Sequence, residues 1–346
     1  MIAPESGVFK TSYRADMALH RLPTARYAML AFLLAMYVGV PLLASPYQIY
    51  VVDTMLVACI GALGLNLLTG YAGQISIGHG GFLGVGAFAS ALLVSKVGVP
   101  FVLSVPAAGA ITALVGLVFG FPSVRIKGLY LAIATLAAQV IIEWALSRPA
   151  IAGTGSVAAP RPALLQDDRA YYFVLLSVAV VAVVLAENIL RTRIGRALVA
   201  VRDQDVAASV VGVNVARYKL LAFGLSSFYA GIAGALLGHL GTAVNFEQFQ
   251  VDLSIQYLAM IVIGGLGSIP GSIFGAAFIT ILPIVLRNLV DAFKGVLPGN
   301  SAILFSSAQF FLFGLVIVVF MIVEPQGLAR IWRNVKDYFR LWPFSY

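Results

Sequence analysis

The chain is a succession of long apolar runs separated by short polar gaps. Runs at 27–44, 48–68, 101–121, 128–146, 171–190, 220–240 and 303–323 hold almost no charge. Each approaches or exceeds the roughly 20 apolar residues a helix needs to cross a bilayer. Two further runs, 74–94 and 254–289, are as apolar but rich in Gly. The second is too long for one helix, and Pro270 with its flanking glycines predicts a break into two. Counting both gives about ten crossings, or eight where a Gly-rich region forms a re-entrant pair. The prediction is an all-α polytopic membrane protein with broken Gly-rich helices. Its parts are a segment 1–26, a transmembrane domain 27–323 and a basic tail 324–346.

Composition agrees with that pattern. Hydrophobic residues make up 61% of the 346, charged residues only 10%, and mean hydropathy is +0.98, which excludes an ordinary soluble domain. The net charge of +8 raises nucleic acid as a partner, but the basic residues fall in the gaps between apolar runs, as membrane topology requires. With the first segment inside, the inner gaps hold Lys10, Arg14, Arg21 and Arg26, then Arg125 and Lys127, then six in 191–219, then Arg330, Arg333, Lys336 and Arg340. Only Lys96, Arg148, Arg161, Arg169, Arg287 and Lys294 are left for the outside. Both termini and 191–219 are therefore expected in the cytoplasm. No cleaved signal peptide is expected, since no small-x-small site follows the first apolar run. Cys59 is the single cysteine, so neither a disulfide nor a Cys-based metal site is expected.

Candidate chemistry is sparse. In 70–88, GYAGQISIGHGGFLGVGAF, the polar Gln74, Ser76 and His79 sit beside Gly70, Gly73 and Gly78. Irregular backbone at membrane depth is tolerated where it is buried or lines a wet cavity, so a broken helix bordering a translocation path and a tight helix crossing are both open. Thr135, Gln139 and Glu143, four apart, share a helical face, which suits interhelical bonding first and a water path second. Asn66 reads as a structural hydrogen-bonding residue. The strings 80–88 and 270–278 each follow a Gly-rich break and end in Ala-Phe, a candidate degenerate duplication. No acidic residue falls at the centre of a run, no Gly-Lys dipeptide offers a P-loop, and His20, His79 and His239 are far apart. An enzyme, an ATPase and a metal or cofactor site are all unexpected.

The polar insert 191–219, RTRIGRALVAVRDQDVAASVVGVNVARYK, stands out against this background. Leu198, Val201, Ala208 and Val211 suggest one apolar face of a helix opening near Gly195 and ending at Gly212. A docking helix for an external motor and a merely topogenic loop against lipid headgroups are the two readings.

Three stretches, 70–88, GRALVAVRDQDVAASVVGVNVARYKLLAF at 195–223 and GGLGSIPGSIFGAAF at 264–278, resemble the inner-membrane permeases of branched-chain amino-acid ABC importers. The resemblance covers about residues 50–325. It implies a heterodimer with a second homologous permease, two cytoplasmic ATPases and a periplasmic solute-binding protein, in a bacterial inner membrane. It also implies a cytoplasmic coupling helix at 195–223, with an Ala-Ala-x-x-x-Gly core at Ala207, Ala208 and Gly212. The acidic residue that usually precedes the two Ala is replaced by Val206, with Asp205 before it. Arg196, Arg202 and Asp205 are the further coupling candidates. Gln74, Ser76, His79, Thr135 and Gln139 are the pathway candidates, with Gly70, Gly73, Gly78, Gly265, Gly267 and Gly271 as structural glycines. The implied cargo is a hydrophobic L-amino acid. Urea or short amides are the alternative, and a passive channel, a secondary carrier or a scaffold are rivals from other classes.

Overall fold

The computed structural model describes residues 23–148, 151, 155–293 and 311–341, apart from 313, 321, 323 and 325. Most of 1–26, most of the apolar run 303–323, Lys294 and the last five residues lie outside that range. The described chain is helical nearly throughout. Helix α1 (Pro23–Leu34) continues through a π-turn at Ala35–Gly39 into Val40–Leu43. Then follow α2 (Pro46–Asn66), α3 (His79–Leu92), α4 (Phe101–Gly120), α5 (Leu129–Leu146) and α6 (Asp168–Arg191). The short α7 (Arg193–Asp203) and α8 (Asp205–Val210) precede α9 (Val215–Leu240), α10 (Val251–Gly264), α11 (Ile269–Phe293) and α12 (Leu328–Leu341).

Seven helical segments among the described residues are long and apolar enough to cross a membrane: Pro46–Tyr71, His79–Val97, Phe101–Val124, Leu129–Leu146, Asp168–Arg191, Val215–Leu240 and Ile269–Asn288. Met29–Leu43 is a shorter apolar helix. The multi-pass, all-α architecture expected from the apolar runs is present. The break expected near Pro270 falls just before it, at 265–268, where Gly265 (φ 115°) and Gly267 (φ 73°) turn the chain. Helix α10, at 14 residues, is about 21 Å long and falls short of a hydrocarbon core of about 30 Å. The break expected within 70–88 is present: Gly73–Gly78 is irregular, and α3 begins only at His79, five residues into the run 74–94.

Sequence dictates the ends locally. Ser45 and Gln48 form a reciprocal capping box ahead of α2, with Pro46 in its first turn. Asp167 caps α6 and Asn214 caps α9. Helix α9 is the spine, packed against α2, α3 and α4. Small residues let the backbones touch, as between helices in lipid. A Cβ at Gly234 would collide with the Leu83 carbonyl, one at Gly86 with Gly231, and one at Gly231 with Thr112.

The membrane face away from the insert has its own closure. Arg161 donates to the last carbonyls of α9, His239 O at 2.9 Å and Leu240 O at 2.7 Å. It also pairs with Asp168 at 2.8 Å and lies over the Tyr171 ring. A guanidinium there satisfies carbonyls that a helix end leaves without partners. Beside it, β1 (Ser156–Ala158) and β2 (Ala243–Asn245) form a two-stranded antiparallel ladder that periodicity did not predict.

Candidate functional site

The insert forms two helices rather than one. Thr192 caps α7, its Oγ accepting the Ile194 N–H at 3.2 Å. Gln204 then adopts extended backbone (φ −160°, ψ 97°), which breaks the chain between Asp203 and Asp205. Gly195 sits within α7, pressed against Leu190, and does not open the helix. The end expected at Gly212 is present, at φ 92°. Leu198, Val201 and Ala208 are buried as their spacing predicted. Val211 is instead 84% exposed, with Val206 at 66% and Val210 at 82%. Helical spacing counted across the Gln204 break loses its meaning, because α8 starts in a new direction.

Ionic contacts fasten α8 to the body of the protein. Asp205 pairs with Lys127, from the turn before α5, and with Lys219 of α9 at 3.6 Å. The Lys127 hydrogen bond holds the Asp205 carboxyl below its ordinary range, and the Lys219 charge adds to this, so Asp205 is a carboxylate at neutral pH. Arg202 bonds Asp203 at 2.9 Å and donates through Nη1 to the Gly70 carbonyl at 3.0 Å. Gly70 in turn packs against Gly267. Asn66 ties that break down: its Oδ1 accepts the Gly267 N–H at 2.9 Å, and its Nδ2 donates to Ser268 O at 2.9 Å and Ser272 Oγ at 2.7 Å. Gly73, at φ 67°, lies against the Arg202 stem, and a Cβ would come within 2.8 Å of Arg202 Cγ. Between these parts is a polar cavity of about 290 Å³, lined by Gln74, Lys127, Arg202, Asp203, Asp205 and Lys219 among others.

The irregular segment 73–78 leads from this cavity into the bundle. Its side chains alternate, with Gln74 and Ser76 buried and Gly73 and Ile75 exposed. The Gln74 amide is buried and has no hydrogen-bond partner among the described residues. A helix that starts inside a bilayer leaves N–H groups that no water can satisfy. Side chains supply the partners here. Gly80 N–H donates to Ser254 Oγ at 2.7 Å, Gly81 N–H donates to Gln139 Oε1, and Ile77 N–H donates to Thr135 Oγ1 at 3.0 Å. Gln139 also donates to Phe249 O at 2.6 Å. His79 Nε2 donates to Gly61 O at 2.9 Å and meets the edge of Tyr257. Replacing Gln139 with Ala is expected to destabilise the protein by about 2 kcal/mol, because it leaves the Gly81 N–H and Phe249 O buried and unpaired. Thermal unfolding in detergent measures this, and an unchanged midpoint would refute the clamp.

The structure thus gathers Gln74, Ser76, His79, Thr135 and Gln139 around one broken segment, and Arg202 and Asp205 around one cavity. Arg196 is not part of it: it is exposed and reaches the Arg191 carbonyl only at 3.4 Å. Ala207 faces outward while Ala208 is buried, and Gly212 is surrounded by open space. Lys127 and Lys219 were read from the sequence only as topogenic charges. Ser254 carried no signal beyond its place in a Gly-rich run.

Residues 48–324 match the family model described as the permease component of branched-chain amino acid transport systems. The chain is 30% identical to the high-affinity branched-chain amino acid transport permease LivM of Salmonella typhimurium, over 87% of this chain and 74% of that protein. Identity to LivM of Escherichia coli is also 30%, over 88% and 75%. LivH of Salmonella typhimurium, another branched-chain amino acid permease, is 25% identical over 62% of this chain and 76% of its own length. No solved structure matches significantly.

Proposed function

Because this chain belongs to the branched-chain amino acid transport permease family, we propose that it is the membrane-spanning permease of an ATP-binding-cassette importer carrying branched-chain, hydrophobic L-amino acids. In this reading it pairs with a second, homologous permease in a bacterial inner membrane. Two ATPases dock on the insert side, and a solute-binding protein delivers cargo from the other. The excess of Lys and Arg on the insert's side supports a cytoplasmic insert and cytoplasmic termini.

The observation that carries this proposal is the way the insert is mounted. Helix α8 presents Val206, Val210 and Val211 outward, while Asp205 at its root is held between Lys127 and Lys219. Closure of the ATPases on ATP would move α8. Lys127 passes the motion to α5, and Arg202 passes it to Gly70 and the two Gly-rich breaks. Ala208 and Gly212 set how α8 sits, and Arg196 contributes charge to the docking face. The broken segment borders the path with its Gly73 and Ile75 edge, and Gln74, Ser76, His79, Thr135 and Gln139 fix the shape of that border. Both shift between outward and inward access.

The test is reconstitution with the second permease, ATPases and binding protein in proteoliposomes. ATP-dependent uptake of labelled leucine is expected, with no uptake of urea. Flux that persists without ATP would mean a channel or secondary carrier, and urea uptake in place of leucine would reassign the cargo.

A further inference from the structure

Helix α12 lies beyond the residues that match the family model and does not figure in the transport reading. Its sequence, LARIWRNVKDYFRL, carries Arg330, Arg333, Lys336 and Arg340 against a single Asp337. Its first turn is seated on the α10–α11 break. There Ala329 is buried, and a Cβ added at Gly265 would lie 3.0 Å from Ala329 Cβ and from Gln326 O. Trp332 packs against Phe274 of α11, with ring centroids 5.5 Å apart. Past that seat the described side chains, 331–335, are open. Ile331, Trp332 and Val335 are exposed apolar residues, beside exposed Arg333.

An apolar edge flanked by cations suits a helix lying in the plane of a bilayer surface. Two observations favour the membrane over a protein as its occupant. The edge begins at the insert-side end of α11, a helix whose exposed Ile281 and Val285 already face outward in the membrane-spanning region, so it continues an apolar belt. The excess of basic side chains also complements anionic phosphodiester headgroups. We propose that α12 is an interfacial anchor, with Ile331, Trp332 and Val335 inserted at the acyl boundary and Arg333 on anionic headgroups of that leaflet. Because its first turn holds Gly265, the anchor fixes the break that Asn66 and Gly70 also contact. The inference does not depend on which solute the protein carries.

The test uses the full chain with its partner permease in nanodiscs. Replacing Trp144 and Trp342 with Phe leaves Trp332 as the single tryptophan of the three in the sequence. Brominated acyl chains are expected to quench its emission roughly twofold in discs containing phosphatidylglycerol, with aqueous acrylamide having little effect. Arg333→Gln should raise the phosphatidylglycerol fraction needed for half-maximal quenching about fivefold, the ratio matching roughly 1 kcal/mol per surface cation. Inorganic phosphate should not substitute for the lipid. Strong acrylamide quenching without bromolipid quenching would overturn the proposal. So would protection that appears only when the ATPases are added, since that would make the helix a protein-docking surface.

Discussion

ATP-driven uptake is expected to fall about a hundredfold when Val210 and Val211 are both replaced by Asp, with the permease still folded. These side chains are 82% and 84% exposed, so the change costs the fold almost nothing. Two exposed valines side by side at the end of a six-residue helix on the outer edge of a polar insert gain their stabilisation only when a partner covers them. Burying a valine contributes on the order of 1.5 kcal/mol, and a carboxylate left in its place adds a desolvation cost. The loss expected is therefore at least about 3 kcal/mol of docking free energy, equivalent to two decades in affinity. The measurements are co-elution of the ATPases and leucine uptake in proteoliposomes. Val210→Ala with Val211→Ala should fall between wild type and the Asp pair. Undiminished uptake by the Asp pair would remove α8 from the docking surface.

Replacing Gly234 with Val should deplete folded protein altogether. Gly234 lies in the central helix α9, and a Cβ there runs into the Leu83 carbonyl of α3. The obstacle is backbone, so no side-chain rotamer relieves it. The two helices must separate, which also opens the Gly86–Gly231 contact one turn away. Overpacking a core costs about 1–3 kcal/mol where side chains can give, and a separated helix pair costs more. A more than tenfold drop in monodisperse yield is expected, with a lowered unfolding midpoint in what remains. Gly39→Ala is the matched control: nothing lies within 4 Å of its Cβ position, so this change should be neutral or slightly stabilising. Equal behaviour of the two variants would show that α3 and α9 do not meet backbone to backbone.

Much of the architecture could be read from the chain because a membrane span is signalled by length and apolar content alone. Five of the seven uninterrupted runs reappear as long helices within a few residues of their expected ends. The break before Pro270 was legible because proline suits only the first turn of a helix and the glycines at 265 and 267 readily take positive φ. A break within 70–88 was legible from its glycines, but its bounds at 73–78 were not, since that composition suits a helix as well as an irregular chain. What decides it is tertiary: Thr135 takes the Ile77 N–H, and Gln139 and Ser254 take those of Gly81 and Gly80. The same polar stripe on α5 was visible from its spacing of four, but spacing does not say what a stripe faces. Asn66 was read as structural, and its three hydrogen bonds bear that out. The Gln204 break has no local signal, because Gln is a good helix former with no turn signature. The pairing of Asp205 with Lys127 joins residues far apart in the chain, and no local pattern encodes it.

The bond from Arg202 to the Gly70 carbonyl, together with the hold of Asn66 on Gly267, bears on how such permeases can be recombined. A hybrid that imported only 193–212 from a relative would bring a new Arg202 environment onto an old Gly70–Gly73 backbone. Its grip would hold only where the imported residue 202 still reaches the Gly70 carbonyl and still clears Gly73, however correct the docking residues. Residues 66–78, 193–212 and 264–268 form one heritable part scattered over three places in the chain. Domain shuffling would have to move them together.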